Sequence, residues 1–295
     1  MITFKEIREI LEKWDSIVIY RHFDPDYDAI GSQLGLKHVI KANWPEKQVY
    51  AYGLETIHNP RFVEAMDVVS EEIISRSLTV ILDCSTNNRA DDTSFLKGAA
   101  ILKIDHHLNS EHVSEHEYVD PQAGSVCEIL AHLIAETGLL IDPRGASYIM
   151  TGIYTDTCRL SIESVTADTY RALAFLAEKG ADIPLINRMA FDNDITRFRT
   201  GVYFENRIEF RKNFAYITGT LDDRRRFGMM PGEIKDFVDL MANIVGVDKY
   251  AVFAQLDNGN YTCSLRSHEI PVVSIANRYG GGGHAQARLD FCDDG

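Results

Sequence analysis

The chain has 295 residues, 45 % of them apolar and 25 % charged, with a formal net charge of −14, the size and balance of a soluble protein with two domains. No run approaches the roughly 20 apolar residues that span a bilayer, the charge-broken opening MITFKEIREILEKW is no signal peptide, and five scattered cysteines (Cys84, Cys127, Cys158, Cys263, Cys292) without a CxxC pair fit reduced thiols in a cytoplasm better than a disulfide framework or a zinc knot. The acidic balance opposes long nucleic acid, whose binding neutralises many phosphates; if the ligand is phosphorylated, a small one whose charge is met inside a metal-loaded cleft suits it better.

Thr3 and Glu6 have capping-box spacing, and Phe4, Ile7, Ile10, Leu11 and Trp14 recur at helical period, so the chain opens with a helix. Ser16 to Tyr20 reads as a buried strand running into the loop RHFDPDYDAIGS, and a second helix is expected from near Ala29 to about Lys41. VYAYG (49–53), LTVILD (78–83) and AAILKID (99–105) are short β-rich runs of the kind buried in parallel sheets. Helical patterns follow at 124–136, 143–154 and 166–179. Strands alternating with helices predict an α/β fold with a mainly parallel sheet. From about 185 to 213 the chain is charged and without strand signals, the pattern of a helical connector. Beyond it come strands near 214–220, 250–257 and 261–266 with a turn at Asn258-Gly259, a helix near 270–279 opened by Pro271, and GGGGH at 280–284. The expected division is a metal-binding domain over 1–187, a helical linker over 188–213 and a smaller α/β substrate-binding domain over 214–295.

Four segments carry chemistry together: His22, Asp26 and Asp28 in the first loop, Asp83 ending LTVILD, Asp105-His106-His107 ending ILKIDHH, and Asp156 in TGIYTDT. The first three fall just beyond the carboxyl ends of expected strands, the edge where open α/β sheets bind ligands. Carboxylates and imidazoles without a matching cysteine cluster suit Mn²⁺ or Mg²⁺ rather than a structural zinc. Several carboxylates sharing one cleft need cations to stay ionised. Two divalent ions resolve that conflict and ready a bridging water to attack phosphorus in line. Taken singly, each piece has a plainer reading: Asp26 and Asp28 as helix caps, Asp83 as a strand-end residue, His106-His107 as an exposed turn, and GGGGH as a turn between helix and strand.

HFDPDYDAIGS, the Asp of VILDCS, IDHH, GIYTDT and the late GGGGH, in that order, resemble the motifs of the DHH phosphoesterase superfamily. The C-terminal part is similar to its DHH-associated substrate-binding domain, so the similarity covers essentially the whole chain. The layout most resembles the branch of bifunctional oligoribonucleases, the nanoRNase/pAp phosphatases. That resemblance implies a Mn²⁺-dependent hydrolase of very short oligoribonucleotides or of 3′-phosphoadenosine 5′-phosphate. It implies that His22 and Asp26 hold one ion, that Asp28, His106 and Asp156 hold the other, and that Asp83 bridges them. Asp105 would orient a ligand imidazole, and His107 would face the scissile phosphate. In the second domain Arg266 and the loop Gly281, Gly282, Gly283 and His284 would grip the far end of a small nucleotide, glycine allowing close backbone approach. The resemblance permits a homodimer that no residue requires, and gives no membrane partner. Three positions depart from the family pattern: Tyr27 and Cys158 stand where glycine is usual, and Arg288 where a small residue is. Alternatives are a hydrolase of linear dinucleotides or other small phosphoesters, and a non-catalytic nucleotide-binding regulatory module; Gly281 to His284 count against a pyrophosphatase.

Overall fold

In the computed structural model residues 2–54, 63–108, 110–191, 194–230 and 232–268 are described, together with 272, 275 and 278. Contacts divide the chain into two units, Met1–Asp192 and Asn193–Gly295.

The first unit opens with α1 (Phe4–Lys13), whose Thr3–Glu6 capping box forms as its spacing predicts. Then come β1 (Ser16–Tyr20), α2 (Tyr27–Asn43), β2 (Gln48–Ala51), α3 (Glu71–Arg76), β3 (Leu78–Leu82), β4 (Ala100–Asp105) and β5 (His116–Val119). Four helices follow: α4 (Val126–Thr137), α5 (Pro143–Asp156), α6 (Ala167–Glu178) and α7 (Ile183–Phe191). The five strands make one sheet in the order β2-β1-β3-β4-β5, all pairs parallel, with Ile17 opposite Leu78 and Leu82 opposite Ile104. Every residue of β1 and β3 is buried, as expected of central strands covered on both faces. On one face Ile17, Ile19, Val80, Leu82 and Ile104 pack with Leu11 of α1, Val39 of α2, Leu130 of α4 and Ile149 of α5. On the other, Val18, Tyr20 and Ile81 pack with Ile74 of α3 and with Phe95.

The second unit comprises α8 (Ile195–Glu205), β6 (Glu209–Arg211), β7 (Phe214–Gly219), α9 (Leu221–Phe227), a 3-10 helix over Glu233–Met241, β8 (Lys249–Gln255) and β9 (Tyr261–Ser267). Its sheet runs β6-β7-β8-β9, with β7 and β8 parallel and the two outer pairs antiparallel. Its own core gathers Phe204, Ala215, Ile217, Phe237, Met241 and Val252. β8 and β9 are joined through Asn258-Gly259, with Gly259 at φ +90°.

Three details differ from the sequence expectations. α2 starts at Tyr27 rather than near Ala29, because the Asp26 carboxylate accepts from the backbone N–H of Asp28 and Ala29 and caps it there. β5 reads HEYV with every residue half-buried, so no apolar run marks it. β6 lies inside the segment read as strandless; its three residues are all exposed. Among the described residues no helix is long and apolar enough to cross a membrane.

Candidate metal centre

The sheet brings His22, Asp83, Asp105, His106 and His107 to one edge, since β1, β3 and β4 are parallel and each motif follows or ends its strand. Asp26 and Asp28 join them from the N-terminus of α2, and Asp156 from the last residue of α5. Helices α2 and α5 cross closely. A Cβ on Gly31 would lie 2.5 Å from the Tyr148 carbonyl oxygen, and one on Gly152 would lie 2.3 Å from Cys127 Sγ and 2.9 Å from Asp28 Oδ1. Without side chains at these two positions the carboxylates of Asp28 and Asp156 reach the same space.

Three overlapping groups result, each with ligand atoms within 4.8 Å of one another: His22 with Asp26 and Asp83; Asp28 with His106 and Asp156; and Asp83 with His106 and His107. Asp83 stands between the imidazoles, its Oδ2 3.5 Å from His22 Nε2 and its Oδ1 3.6 Å from His106 Nε2. It is 3 % exposed, its Oδ1 has no hydrogen-bond partner among the described residues, and its backbone sits at φ +53°, a strained conformation for a non-glycine residue of the kind found at functional sites. An orphaned buried carboxylate oxygen facing nitrogen and oxygen donors fits a divalent cation, which would satisfy it.

Hydrogen bonds fix how these side chains point. His22 Nδ1 lies 2.7 Å from the Phe23 carbonyl oxygen, and His106 Nδ1 3.3 Å from that of Ala123. Both rings therefore carry their proton on Nδ1 when neutral, and turn the Nε2 lone pair inward. Asp28, 1 % exposed, accepts from the Val126 and Cys127 N–H groups at 2.8 and 3.0 Å, at the first turn of α4. Asp105 accepts from His107 Nδ1 at 2.8 Å and from the His106 backbone N–H at 2.9 Å, while Ser110 Oγ donates to its other oxygen. The imidazole that Asp105 orients is thus that of His107.

The charges divide unevenly among the carboxylates. Burial opposes ionisation of Asp83, but the hydrogen bond from His22 and the charges of His106, His22 and His107 hold its carboxyl well below the usual range. Burial raises the Asp28 and Asp156 carboxyls instead, reinforced by the Asp83 charge on Asp28 and the Asp28 charge on Asp156. Burial would depress both imidazoles. His22, through its bond and charge contact with Asp83, and His106, through the charges of Asp83 and Asp156, are each pushed up to about 9.

Tyr27 takes the first helical position of α2 and packs against the buried cluster that includes Ile30, Leu34 and Tyr148, so this backbone needs no glycine. Cys158 does occupy glycine-like backbone, at φ +48°, followed by Arg159 at +60° and Leu160 at +64°. Arg266 lies in β9 opposite Tyr250, half-buried, within the second unit. Gly281, Gly282, Gly283, His284 and Arg288 lie outside the described residues. Sequence reading passed over Lys103, only 1 % exposed, which donates to the Glu111 carbonyl oxygen at 2.8 Å and lies 3.7 Å from Asp105. A lone lysine inside the apolar run ILKID was the available signal.

The sequence profile of the DHH family, N-terminal domain, matches residues 16–153, the span from β1 to within α5. A Streptococcus mutans protein named a probable bifunctional oligoribonuclease and PAP phosphatase is 31 % identical over 290 residues, covering 97 % of this chain and 93 % of that protein. The chain belongs to the DHH family. A Bacillus subtilis bifunctional oligoribonuclease and PAP phosphatase is 27 % identical, with 96 % and 91 % of the two chains covered. Among solved structures, an exopolyphosphatase-related protein from Bacteroides fragilis superposes with a TM-score of 0.88 at 27 % identity, over 99 % of this chain and 91 % of that one. As a DHH protein the chain is an enzyme that hydrolyses phosphoester bonds.

Proposed function

We propose that this DHH protein hydrolyses very short oligoribonucleotides, 3′-phosphoadenosine 5′-phosphate, or both, at a pair of divalent ions, Mn²⁺ in the first instance. The observation that carries the reading is Asp83: a buried carboxylate between two histidine–carboxylate groups, with one oxygen toward each. We assign one ion to His22 and Asp26, the other to Asp28, His106 and Asp156, and Asp83 to both. When bound, such ions supply a nucleophile at neutral pH and neutralise the charge that builds on the phosphoryl oxygens.

The chain's own residues do the rest. The Asp105–His107 bond keeps one proton on His107 Nδ1 and supports the imidazolium, whose second proton, on Nε2, would pass to the leaving oxygen and leave the ring neutral. His22 and His106 are oriented by backbone carbonyls, so their lone pairs stay aligned through turnover. The names of the Streptococcus mutans and Bacillus subtilis relatives join oligoribonuclease and PAP phosphatase, which favours small nucleotides as substrate class. The net charge of −14 favours small over long substrates. We assign catalysis to the N-terminal domain, a linking role to 188–213, and capture of the substrate's far end to Arg266 and the glycine loop of the C-terminal domain. The buried thiols of Cys84 and Cys127 suit a reducing cytoplasm.

The test is incubation with Mn²⁺ and, in parallel, 3′-phosphoadenosine 5′-phosphate, a 5′-phosphorylated RNA dinucleotide, short and long RNAs, and pyrophosphate. Release of mononucleotides from the short RNAs, or of AMP and phosphate from the bisphosphate, supports the reading. With metal verifiably bound, turnover of none of them sinks it and leaves the non-catalytic nucleotide-binding module.

A further inference from the structure

His22 is preceded by Arg21, a charged residue directly after the buried run of β1. Its side chain is 0 % exposed and that of Asp91, its ion-pair partner, 2 %. Removing two charges this completely from water is unfavourable unless geometry and further hydrogen bonds compensate, and here several are supplied. Arg21 Nη2 donates to the Leu54 carbonyl oxygen at 2.7 Å, and Asp91 Oδ2 accepts the Leu54 N–H at 2.7 Å. The Asp91 N–H donates to the Arg21 carbonyl oxygen at 2.9 Å, and the Phe23 N–H to the Arg89 carbonyl oxygen at 2.8 Å. Between those two bonds His22 pairs with Ala90 in an antiparallel bridge. Gly53 closes the ring: a Cβ there would meet Asp91 Oδ2 at 2.5 Å and Arg21 Nη1 at 2.6 Å.

We infer that the buried Arg21–Asp91 pair is a positioning device for one of the two ions only, the one held by His22, Asp26 and Asp83. This rests on the two-ion reading above. The pair ties the segment after β1, which carries His22, to the segments after β2 and β3, so the His22 imidazole is set at a fixed place relative to Asp83. A β-bridge alone would leave that short segment free to slide, because register is weakly specified without side-chain anchors. The other group has separate supports. Asp28 is fixed by the α4 N–H groups, His106 continues from β4, and Asp156 ends α5. The bonds just given for Arg21 and Asp91 run to Leu54 and to the backbone of their own two segments instead. Loss of the pair therefore weakens the two ions unequally.

Truncating Arg21 alone would strand a buried Asp91 and threaten folding, whereas replacing both charges by apolar groups is often neutral for stability. The decisive variant is the double replacement Arg21→Met with Asp91→Leu in the full chain, titrated with Mn²⁺ by calorimetry beside the wild type. One equivalent of Mn²⁺ is expected to bind with wild-type affinity and the other at least about tenfold more weakly. At limiting Mn²⁺ kcat falls and excess Mn²⁺ restores it, while KM for a dinucleotide is unchanged. Arg21→Lys keeps the charge but not the two-pronged donor, and lies between. A folded double variant that binds both equivalents as the wild type does overturns the inference, and so does one in which both weaken equally. A wild-type chain that binds fewer than two equivalents sinks the two-ion reading instead, so the two failures are told apart.

Discussion

Asp83, Asp28 and Asp156 share a small space with three imidazoles, and without metal the protons settle the quarrel among the carboxylates. Asp83 keeps its charge between His22 and His106, while Asp28 and Asp156 are raised. Metal reverses this. A cation needs both imidazoles neutral and all the carboxylates ionised, so binding expels protons from His22 and His106, each titrating near 9 in the metal-free protein. The sign follows: affinity for Mn²⁺ rises with pH and is lost progressively as pH falls below about 9. Each displaced proton contributes roughly tenfold per pH unit. Calorimetry across that range in buffers of different ionisation enthalpy would read both affinity and proton release; a pH-independent dissociation constant would contradict it. Asp26 offers a second test, because it is both the cap of α2 and a member of the His22 group. Asn caps as well as Asp does, so Asp26→Asn should leave apo stability within a few tenths of a kcal/mol. It should lower kcat at fixed Mn²⁺ by about 10–100-fold. Equal loss of stability and activity would show the cap to be the whole story. The residues of this site were visible in the sequence as motifs and the family resemblance implied their grouping, but which ring Asp105 orients was not visible. Asp105 lies beside both histidines in sequence, and only the fold directs it to the His107 ring.

At the scale of elements, the centre depends on α2 and α5 lying close enough for Asp28 and Asp156 to face one cation. Gly31 and Gly152 allow that approach, and Gly152→Ala tests it. In a free helix the change would be favourable by about 1 kcal/mol. Here the new methyl would meet Cys127 Sγ, Asp28 Oδ1 and Asp28 Cα at 2.3, 2.9 and 3.0 Å, so overpacking dominates, and a net loss of about 1–3 kcal/mol is expected. Thermal unfolding together with Mn²⁺ titration would check it. Unchanged stability and metal affinity would mean that the helices part without consequence. The strands that carry the proposed ligands were legible, since β1, β3 and β4 are short, mostly apolar, β-rich runs. β5 and β6 were not. Half-buried or fully exposed edge strands have no periodicity for a sequence to display, and their partners alone make them strands.

For the whole molecule, the first unit and the second each have a core of their own, and all six proposed ligands belong to the first. Metal should therefore act on one unfolding transition. With Mn²⁺ at about 100 times its dissociation constant, the first unit gains about 2.7 kcal/mol, and a chelator removes that gain without moving the second. Scanning calorimetry with and without EDTA would show it, and one transition shifting as a whole would count against separate units. The α/β class and parallel sheet could be read in advance because alternating apolar runs and helical periods dictate them. The Arg21–Asp91 pair could not, for its members lie 70 residues apart and meet only when three strand ends converge. Asp26 has a further consequence, in heredity. Aspartate and asparagine codons differ by one base, and the cap tolerates either residue. A duplicated copy of this gene could thus fall silent as an enzyme in a single step, keep its fold, and remain available to selection as a nucleotide-sensing protein.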